Sequence, residues 1–238
     1  MLILKGFLLK KQRGKKTENK LKRIPLSDEN LKKLFTSKIY TNKKEYTLKY
    51  EAEKYWIPLI AIYTGMRQNE ICQLYVEDVK SETISTGEEV FYFDINEKDD
   101  KHLKNENAFR RVPIHPQLIE MGLLDYINEV KVKHCRLWPN LTLHPTEKRY
   151  GTLYNSRFST FFRSYISKDK NQVFHCMRHN VSTQLLNNAV KYKIPKDLVN
   201  RLMGHEPADD ETSQSYFDGY SIEALYEGIK NLHFSNII

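Results

Sequence analysis

The sequence predicts a mainly α-helical fold with one small antiparallel β-sheet, an α+β class. Most of the chain places apolar residues at helical intervals, whereas residues 90–95 form a run rich in β-branched and aromatic side chains after the turn-like Thr86-Gly87. Residues 110–114 are predicted to form the partner strand, and the polar, charged stretch 96–107 joins the two. Pro113 is expected at the end of its strand, because proline cannot donate to a ladder of backbone hydrogen bonds.

Helices are predicted on both sides of this hairpin. Ser27 begins an N-cap pattern ahead of an apolar periodic stretch. Residues 55–63 are too apolar to be exposed, so they predict a buried helix that ends at Thr64-Gly65. A further helix is predicted over residues 67–79, and most of the chain from Pro116 onward is predicted to be helical.

Length and composition restrict the class of protein. A chain of 238 residues can bury a substantial core, in one large domain or in a domain with an appendage. No apolar run is long enough to span a membrane, and the apolar start at Met1 meets lysines at once and lacks the cleavage pattern of a signal peptide. The three widely spaced cysteines, Cys72, Cys135 and Cys176, argue against a disulfide framework. We therefore expect a cytoplasmic protein.

The charge of the chain favours a polyanionic partner. The net charge is +8 and the isoelectric point is near 9.2, although charge alone does not distinguish DNA, RNA and a membrane surface. The first 25 residues hold nine Lys or Arg and one acid, Glu18. We expect residues 1–25 to form a basic linker that binds phosphates and residues 26–238 to form one folded domain. The expected DNA contacts in the linker are Lys10, Lys11, Arg13, Lys15 and Lys16.

The run from residue 175 to 179 holds side chains suited to an anion. If it is helical, His175 and Arg178 project from one face, with His179 on nearly the same face. The spacing of the two histidines also occurs in zinc helices, but those have glutamate directly after the first histidine, where this chain has Cys176. Arg178 would also place a fixed positive charge beside the metal. We expect no metal here, and we expect His179 to pack in the core.

Arg67 lies just after the predicted end of a helix and three residues before Glu70. Considered alone, this pattern is typical of a surface ion pair, which contributes little to stability. The alternative is that Glu70 braces a buried arginine whose planar guanidinium binds phosphate oxygens. The other segments of the chain favour this second interpretation.

Two further segments supply residues that can act on a phosphate. Gly204 suits a helix C-cap and presents His205 directly after it. Tyr216 lies in a polar, glycine-containing segment of the kind found in exposed loops. Its nearest rival as a nucleophile is Tyr220.

These segments together resemble the tyrosine recombinases of the phage-integrase family, in order and separation, across roughly residues 27–235. Residues 64–71, Thr-Gly-Met-Arg-Gln-Asn-Glu-Ile, resemble the first arginine box of that family. Residues 175–179 resemble its His-x-x-Arg box, and residues 202–205, Leu-Met-Gly-His, followed by Tyr216 resemble its closing box with the nucleophile. The resemblance implies a catalytic set, supported by Glu70 and His179, that consists of Arg67, Lys104, His175, Arg178, His205 and Tyr216.

The lysine of this set depends on the hairpin. The family carries a lysine there, and Lys104 lies at the corresponding place, eight residues before Val112. The sequence departs from the family pattern at this point, because Asn105 and Ala108 replace the usual Thr and Ser. Lys101 is the alternative for the same role.

The resemblance implies that the protein cleaves and rejoins DNA strands through a 3′-phosphotyrosyl bond, as in the integration or excision of a phage or mobile element. It implies double-stranded DNA at a specific site, a homotetramer on paired sites, accessory DNA-bending proteins, no cofactor, and a bacterial or phage-host cytoplasm near the nucleoid. The C-terminal apolar stripe of Ile222, Leu225, Ile229 and Leu232 either packs on its own domain or docks on a neighbouring subunit. Periodicity does not distinguish these.

Family integrases also carry an N-terminal helical domain that completes a clamp around DNA, and only residues 1–25 stand where it would end. We therefore expect a catalytic fragment or a minimal member, with weak, salt-sensitive binding to DNA. Two other functions share part of the pattern. A type IB topoisomerase uses the same chemistry but only relaxes DNA, and a non-catalytic DNA-binding regulator derived from a recombinase would show damage in the catalytic set.

Overall fold

Helices surround a small sheet in the computed structural model, which describes residues 23–41, 51–104, 108–205 and 219–234. Within these ranges the helices are α1 (Asp28–Phe35), α2 (Lys38–Thr41), α3 (Ala52–Thr64), α4 (Gln68–Cys72), α5 (Pro116–Glu120), α6 (Leu123–Lys131), α7 (Gly151–Tyr165), α8 (Cys176–Tyr192), α9 (Lys196–Met203) and α10 (Ile222–Ile229). The strands are β1 (Val79–Thr83), β2 (Glu89–Ile95) and β3 (Arg110–Pro113). The predicted fold class is confirmed. None of the helices in the described ranges combines the length and the apolar character that a membrane crossing requires.

Helix α3 lies at the centre of the core. Its residues are buried apart from the half-buried Lys54, which is the pattern of a helix enclosed on all sides. Gly65 ends it, as predicted, in the left-handed conformation with φ of 68°, which glycine adopts without a steric penalty. Helix α1 begins at the predicted cap, where the hydroxyl of Ser27 accepts a hydrogen bond from the amide of Asn30 at 3.2 Å.

The helix predicted over residues 67–79 is wrong, because α4 ends at Cys72. Just beyond it, the carbonyl of Leu74 accepts a hydrogen bond from the amide of Leu137 at 3.0 Å. A 3₁₀ turn over Val76–Asp78 then leads directly into β1. The backbone of this segment is therefore satisfied by partners outside a helix, and its apolar spacing reflects the burial of separate side chains.

The strands form one antiparallel sheet in the order β1–β2–β3. The predicted pairing of β2 with β3 is confirmed, with Phe93 opposite Val112 and Tyr92 opposite Pro113, the last residue of β3. The sequence did not predict β1. Only Val79 of this strand is even half-buried, so it lacks the apolar alternation by which a strand is identified.

The C-terminal apolar stripe packs on its own domain. Ile222, Leu225, Ile229 and Leu232 are each at most 2% exposed. Helix α10, which carries most of the stripe, contacts β3, α8 and α9. Burial against the same chain accounts for the helical period of these residues.

Helix α8 fastens two segments that are distant in sequence. Asn180 binds both the amide and the carbonyl of Leu26, at 2.9 and 2.8 Å. One turn later, Gln184 makes the same two-way contact with the backbone of His233, at 2.9 and 2.8 Å. Side chains four residues apart lie on one face of a helix, so a single polar stripe of α8 holds both segments.

His115 is a buried histidine with a structural role. Its Nδ1 accepts a hydrogen bond from the amide of Gln117 at 3.0 Å, so the proton resides on Nε2, which donates to the carbonyl of Leu232 at 3.0 Å. Burial lowers the pKa of His115 to about 4. Protonation of Nδ1 would place its N–H against the amide N–H of Gln117, and the hydrogen bond that caps α5 would be lost.

We expect the free energy of unfolding to fall by up to about 3 kcal/mol through His115 as the pH is lowered from about 6.5 to about 4. The pKa of this group is lower in the folded chain, so its contribution is complete above pH 6.5 and is lost as the pH falls through the folded pKa. Urea denaturation at a series of pH values measures the effect. The pKa values of His175 and His205 are lowered as well, so the difference between the wild type and His115→Gln isolates the contribution of His115. Identical pH dependence in both proteins would contradict the assignment.

Candidate active site

Four segments that are distant in sequence meet at one site: the turn after α3, the start of β3, the first turn of α8 and the end of α9. Arg178 of α8 donates to the carbonyl of Gly65 at 2.6 Å and also to the carbonyl of Met203. Arg67 donates to the carbonyl of Gly204 at 2.7 Å. The two arginines therefore join the turn after α3 to the end of α9.

The two guanidiniums differ in exposure. Arg178 is 5% exposed, whereas the side chain of Arg67 is 19% exposed. A guanidinium has more N–H donors than these contacts with the described chain use, so donors remain for an anion. Burial, followed by the positive charges of Arg110 and Arg67, lowers the pKa of Arg178 to about 9. The group is therefore still charged at neutral pH.

Glu70 binds two arginines at once. Its carboxylate accepts hydrogen bonds from Nη1 and from the backbone amide of Arg67, at 2.7 and 2.8 Å. The same carboxylate accepts from Nη2 and Nη1 of Arg110, at 2.8 and 3.2 Å. Burial alone would raise the pKa of Glu70, but the positive charges of Arg110 and Arg67 lower it to about 2. Glu70 is therefore ionised and braces Arg67, the role that the sequence predicts for it.

Arg110 belongs to the site and was not predicted from the sequence. Its side chain is 0% exposed, and besides Glu70 it binds the carbonyls of Leu202 at 3.0 Å and Ala108 at 2.9 Å. It thereby joins β3 to the end of α9. One signal was present: in a strand, Arg110 shares a face with the apolar Val112, and a buried arginine requires an acidic partner.

Glycine is required at position 204 because of the backbone conformation there and because Arg110 lies close to it. It is the predicted C-cap of α9, in the left-handed conformation with φ of 59°. A Cβ atom at this position would lie 2.9 Å from Nη1 of Arg110. A side chain here would therefore displace the guanidinium that holds Glu70, and with it the brace on Arg67.

His175 lies at the N-terminus of α8 and is exposed, whereas His179, one turn later, is half-buried. Their rings are 5.2 Å apart and perpendicular, so His179 packs against His175. Partial desolvation in this crowded site, followed by the charge of Arg178, lowers the pKa of His175 to about 4. The imidazole is therefore neutral at pH 7. Within the described ranges, no group of three or more His, Cys, Asp and Glu side chains is placed to hold a metal ion.

His205 follows the C-cap of α9 and its side chain reaches solvent. Its backbone amide donates to the carbonyl of Asn200 at 3.0 Å. Partial loss of hydration, followed by the charges of Arg178 and Arg67, lowers the pKa of His205. Its imidazole thus lies within the electric field of both guanidiniums, beside the place where they would hold an anion.

The two hairpin lysines have different environments. Lys101 is 3% exposed, and its ammonium donates to Oδ1 of Asp78 at 2.6 Å. Lys104 is exposed, and its charge is close enough to contribute to the lowered pKa of His175. Lys104 is therefore exposed within electrostatic range of His175, whereas Lys101 is held in an internal ion pair.

Tyr216 lies outside the described residues, as does the basic linker with Lys10, Lys11, Arg13, Lys15 and Lys16. Its rival Tyr220 is described and is half-buried, and its carbonyl accepts a hydrogen bond from Arg111 at 3.2 Å. Partial burial, followed by the charge of Asp197, raises the pKa of Tyr220. This environment disfavours a phenolate at Tyr220.

The site carries an excess of positive charge. Three guanidiniums, those of Arg67, Arg110 and Arg178, lie close together, and the carboxylate of Glu70 pairs with the first two of them. Each of the three also donates to a backbone carbonyl, and Arg67 and Arg178 keep donors free for an oxyanion. Fixed guanidinium donors of this kind are chemically suited to binding an oxyanion such as a phosphate.

Comparison with known proteins identifies the family to which the chain belongs. The model of the phage integrase family matches residues 26–221. This range is most of the chain, so the protein belongs to the phage integrase family, the tyrosine recombinases. The matched range contains every predicted catalytic residue, from Arg67 to Tyr216. No curated protein matches the sequence significantly.

Solved structures with a similar fold include two DNA complexes. The XerH site-specific recombinase bound to its difH substrate is 19% identical, with a TM-score of 0.49, over 87% of this chain and 54% of that one. The Tn1549 transposon integrase in complex with transposon right end DNA is 16% identical, with a TM-score of 0.41, over 86% of this chain and 64% of that one. The chain thus spans less than two thirds of the length of either structure.

Proposed function

We propose that this protein is a site-specific DNA recombinase that cleaves and rejoins strands through a 3′-phosphotyrosyl intermediate on Tyr216. The observation that carries the proposal is the pair Arg67 and Arg178, fixed side by side by backbone carbonyls in a chain of the phage integrase family. The substrate is double-stranded DNA at a specific site, as in the integration or excision of a phage or mobile element. Several protomers, as a homotetramer on paired sites, carry out the exchange.

Arg67 and Arg178 bind the nonbridging oxygens of the scissile phosphate. Attack by a phenol oxygen adds negative charge to these oxygens in the transition state, and bidentate donors strengthen their hold as that charge develops. The contacts of Glu70 and of the carbonyls of Gly65 and Gly204 already fix the two guanidiniums. Little reorganisation therefore accompanies the reaction.

His175, Lys104 and His205 act on the protons and the phosphate. His175 is neutral at pH 7, because its pKa is lowered to about 4, and it accepts the proton of the Tyr216 phenol. A bound phosphate anion offsets the surrounding positive charge and so raises the pKa of this imidazole toward the working pH. Lys104 protonates the leaving 5′-oxygen as the general acid. His205 donates a hydrogen bond to the phosphate.

The reaction exchanges one phosphoester for another. The Tyr216 oxygen forms a bond to phosphorus while the bond from phosphorus to the 5′-oxygen breaks. The phenol proton passes to His175, and Lys104 supplies a proton to the 5′-oxygen. The 3′-phosphotyrosyl bond retains the energy of the original ester, so the 5′-hydroxyl of another strand can reverse the step without ATP. This reversibility suits strand exchange rather than degradation.

The test uses the full chain and nicked DNA duplexes whose central sequence is randomised, so that the target site need not be known. Cleavage beside the nick releases a short fragment that diffuses away and traps the covalent complex. We expect a protein–DNA adduct on a denaturing gel, at low salt and in the presence of EDTA. We expect Tyr216→Phe to abolish this adduct, because the attacking oxygen is removed.

Tyr220→Phe is the matched control and should form the adduct as the wild type does. An adduct that persists in Tyr216→Phe, or that requires a divalent metal, contradicts the proposal. Binding of DNA without any adduct would indicate a non-catalytic regulator instead. Relaxation of supercoiled plasmid without strand exchange would indicate a type IB topoisomerase.

A further inference from the structure

The residues that precede Lys104 are anchored one after another. The amide of His102 donates to Oε1 of Gln73 at 3.0 Å. The amide of Leu103 donates to Oε1 of Glu97 at 2.8 Å. Lys104 follows directly and is exposed. The backbone is therefore held up to the residue before the proposed general acid.

Asp100 stands at the centre of a cluster that fixes the start of this stretch. The hydroxyl of Tyr75 donates to Oδ1 at 3.0 Å, the hydroxyl of Tyr150 donates to Oδ2 at 2.7 Å, and Arg136 also donates to Oδ1. Arg136 lies 4.3 Å from the ring centroid of Tyr75 and 3.8 Å from that of Tyr150. We call these four residues the Asp100 cluster. Partial burial opposes ionisation, but the hydrogen bonds from Tyr150, Arg136 and Tyr75 lower the pKa of Asp100.

The cluster draws its members from separate parts of the domain. Tyr75 precedes the 3₁₀ turn, Arg136 follows α6, and Tyr150 immediately precedes α7. The hairpin connection is thus tied to the body of the domain rather than to its own strands. This anchoring is not needed to pair β2 with β3, because those strands already share their ladder of hydrogen bonds.

A buried ion pair also holds the connection between β2 and β3. Asp78 accepts a hydrogen bond from Lys101 at 2.6 Å, and both side chains are at most 3% exposed. The same oxygen of Asp78 accepts from the side-chain amide of Asn96 at 2.9 Å. Asp78 therefore joins the first residue after β2 to the residue that follows Asp100.

The backbone is also held at Ala108, between Lys104 and β3. Ala108 is 0% exposed, and its carbonyl accepts a hydrogen bond from Arg110 at 2.9 Å. Arg110 is the arginine that binds Glu70 in the active site. Lys104 therefore lies in sequence between two fixed points, Leu103 and Ala108, and Ala108 is tied to the guanidinium network.

We propose that the Asp100 cluster positions Lys104 to protonate the leaving 5′-oxygen, an inference that rests on the proposed recombinase function. Lysine has a flexible stem, and a proton donor acts only within hydrogen-bond reach of its target. Anchoring the backbone at Leu103 limits the positions that the Lys104 ammonium can reach. A misplacement of about 1 Å at a reacting group can lower a rate by about 10²-fold.

The test compares two leaving groups with the full chain. One nicked duplex carries the ordinary 5′-oxygen at the scissile phosphate, and the other carries a 5′-sulfur, which leaves as a thiolate without a proton from the enzyme. We expect Asp100→Asn and Tyr150→Phe to slow adduct formation on the oxygen ester by between about 10- and 100-fold, and to leave the sulfur ester at the wild-type rate. Tyr150→Phe keeps the ring over Arg136 and removes only the hydroxyl.

Tyr165→Phe is the matched control, because Tyr165 is 74% exposed at the end of α7, outside the cluster. It should match the wild type on both substrates. A purely structural role of the Asp100 cluster would slow both substrates by the same factor.

The outcomes separate the two proposals. If the wild type forms no adduct on either substrate, the recombinase function fails. If sulfur does not rescue Lys104→Ala, Lys104 is not the general acid, and its positioning by the cluster is overturned. If sulfur rescues Lys104→Ala, but Asp100→Asn and Tyr150→Phe lose the same factor on both esters or lose nothing, the positioning role alone is overturned.

Discussion

Replacing Arg178 by lysine is expected to slow adduct formation by about 100- to 1,000-fold. Lysine keeps the charge, but a compact ammonium cannot bind the carbonyls of Gly65 and Met203 and a phosphate in one planar arrangement. Single-turnover cleavage of the nicked duplex measures the rate. Thermal unfolding of the same sample shows whether the variant is folded.

Arg163→Lys is the matched control for this substitution. Arg163 also donates to backbone carbonyls, those of Ser167 at 3.1 Å and Gln172 at 2.6 Å. These carbonyls belong to the segment that follows α7, outside the candidate site. The control should cleave at the wild-type rate. Cleavage by Arg178→Lys at the wild-type rate would contradict the role assigned to Arg178. Equal losses of cleavage rate in both variants would show that Arg178 contributes only to the stability of the fold.

Replacing Arg110 by methionine is expected to lower the free energy of unfolding by about 3–5 kcal/mol. The substitution removes the fully buried guanidinium from Glu70, a carboxylate that is itself only 4% exposed. Most of the cost arises because the buried carboxylate keeps only Arg67 as its arginine partner, whereas methionine retains much of the side-chain volume. Urea denaturation measures the difference.

The neighbouring Arg111 provides a control on the same strand. Its side chain is 36% exposed and pairs with Glu82 at 2.9 Å, so Arg111→Met should cost less than about 1 kcal/mol. Adding Glu70→Gln to Arg110→Met should recover part of the loss, because the buried charge that has lost one of its two arginine partners disappears. Strictly additive losses in that double-mutant cycle would show that Glu70 and Arg110 are not coupled.

The ends of α3 and α9 and the pairing of the hairpin were predictable because their signals are local. Gly65 and Gly204 end α3 and α9 in the left-handed conformation that glycine favours. The pairing of β2 with β3 follows from β-branched and aromatic side chains on either side of a polar connection. Arg67 and Arg178 were selected because the segments around them resemble the boxes of the phage-integrase family, and the structure brings them to the same two turns.

Features that depend on distant partners were not predictable in this way. The role of Arg110 becomes apparent only beside Glu70, which lies 40 residues away in sequence. The sequence favoured Lys104 and left Lys101 as an alternative, and the different environments of the two come from Asp78, 23 residues from Lys101. The segment after α4 has helical spacing but turns into β1, because its backbone finds partners elsewhere in the domain.

The contacts of the Glu70 carboxylate and of the arginines around it form only when the chain is folded. Arg67 and Arg110 reach their working positions only when β3 has docked beside the turn after α3, and Arg178 only when α8 and α9 have met. A nascent or misfolded chain therefore lacks the arrangement that the proposed strand cleavage requires. The tertiary structure thus restricts the proposed activity to molecules that have completed folding.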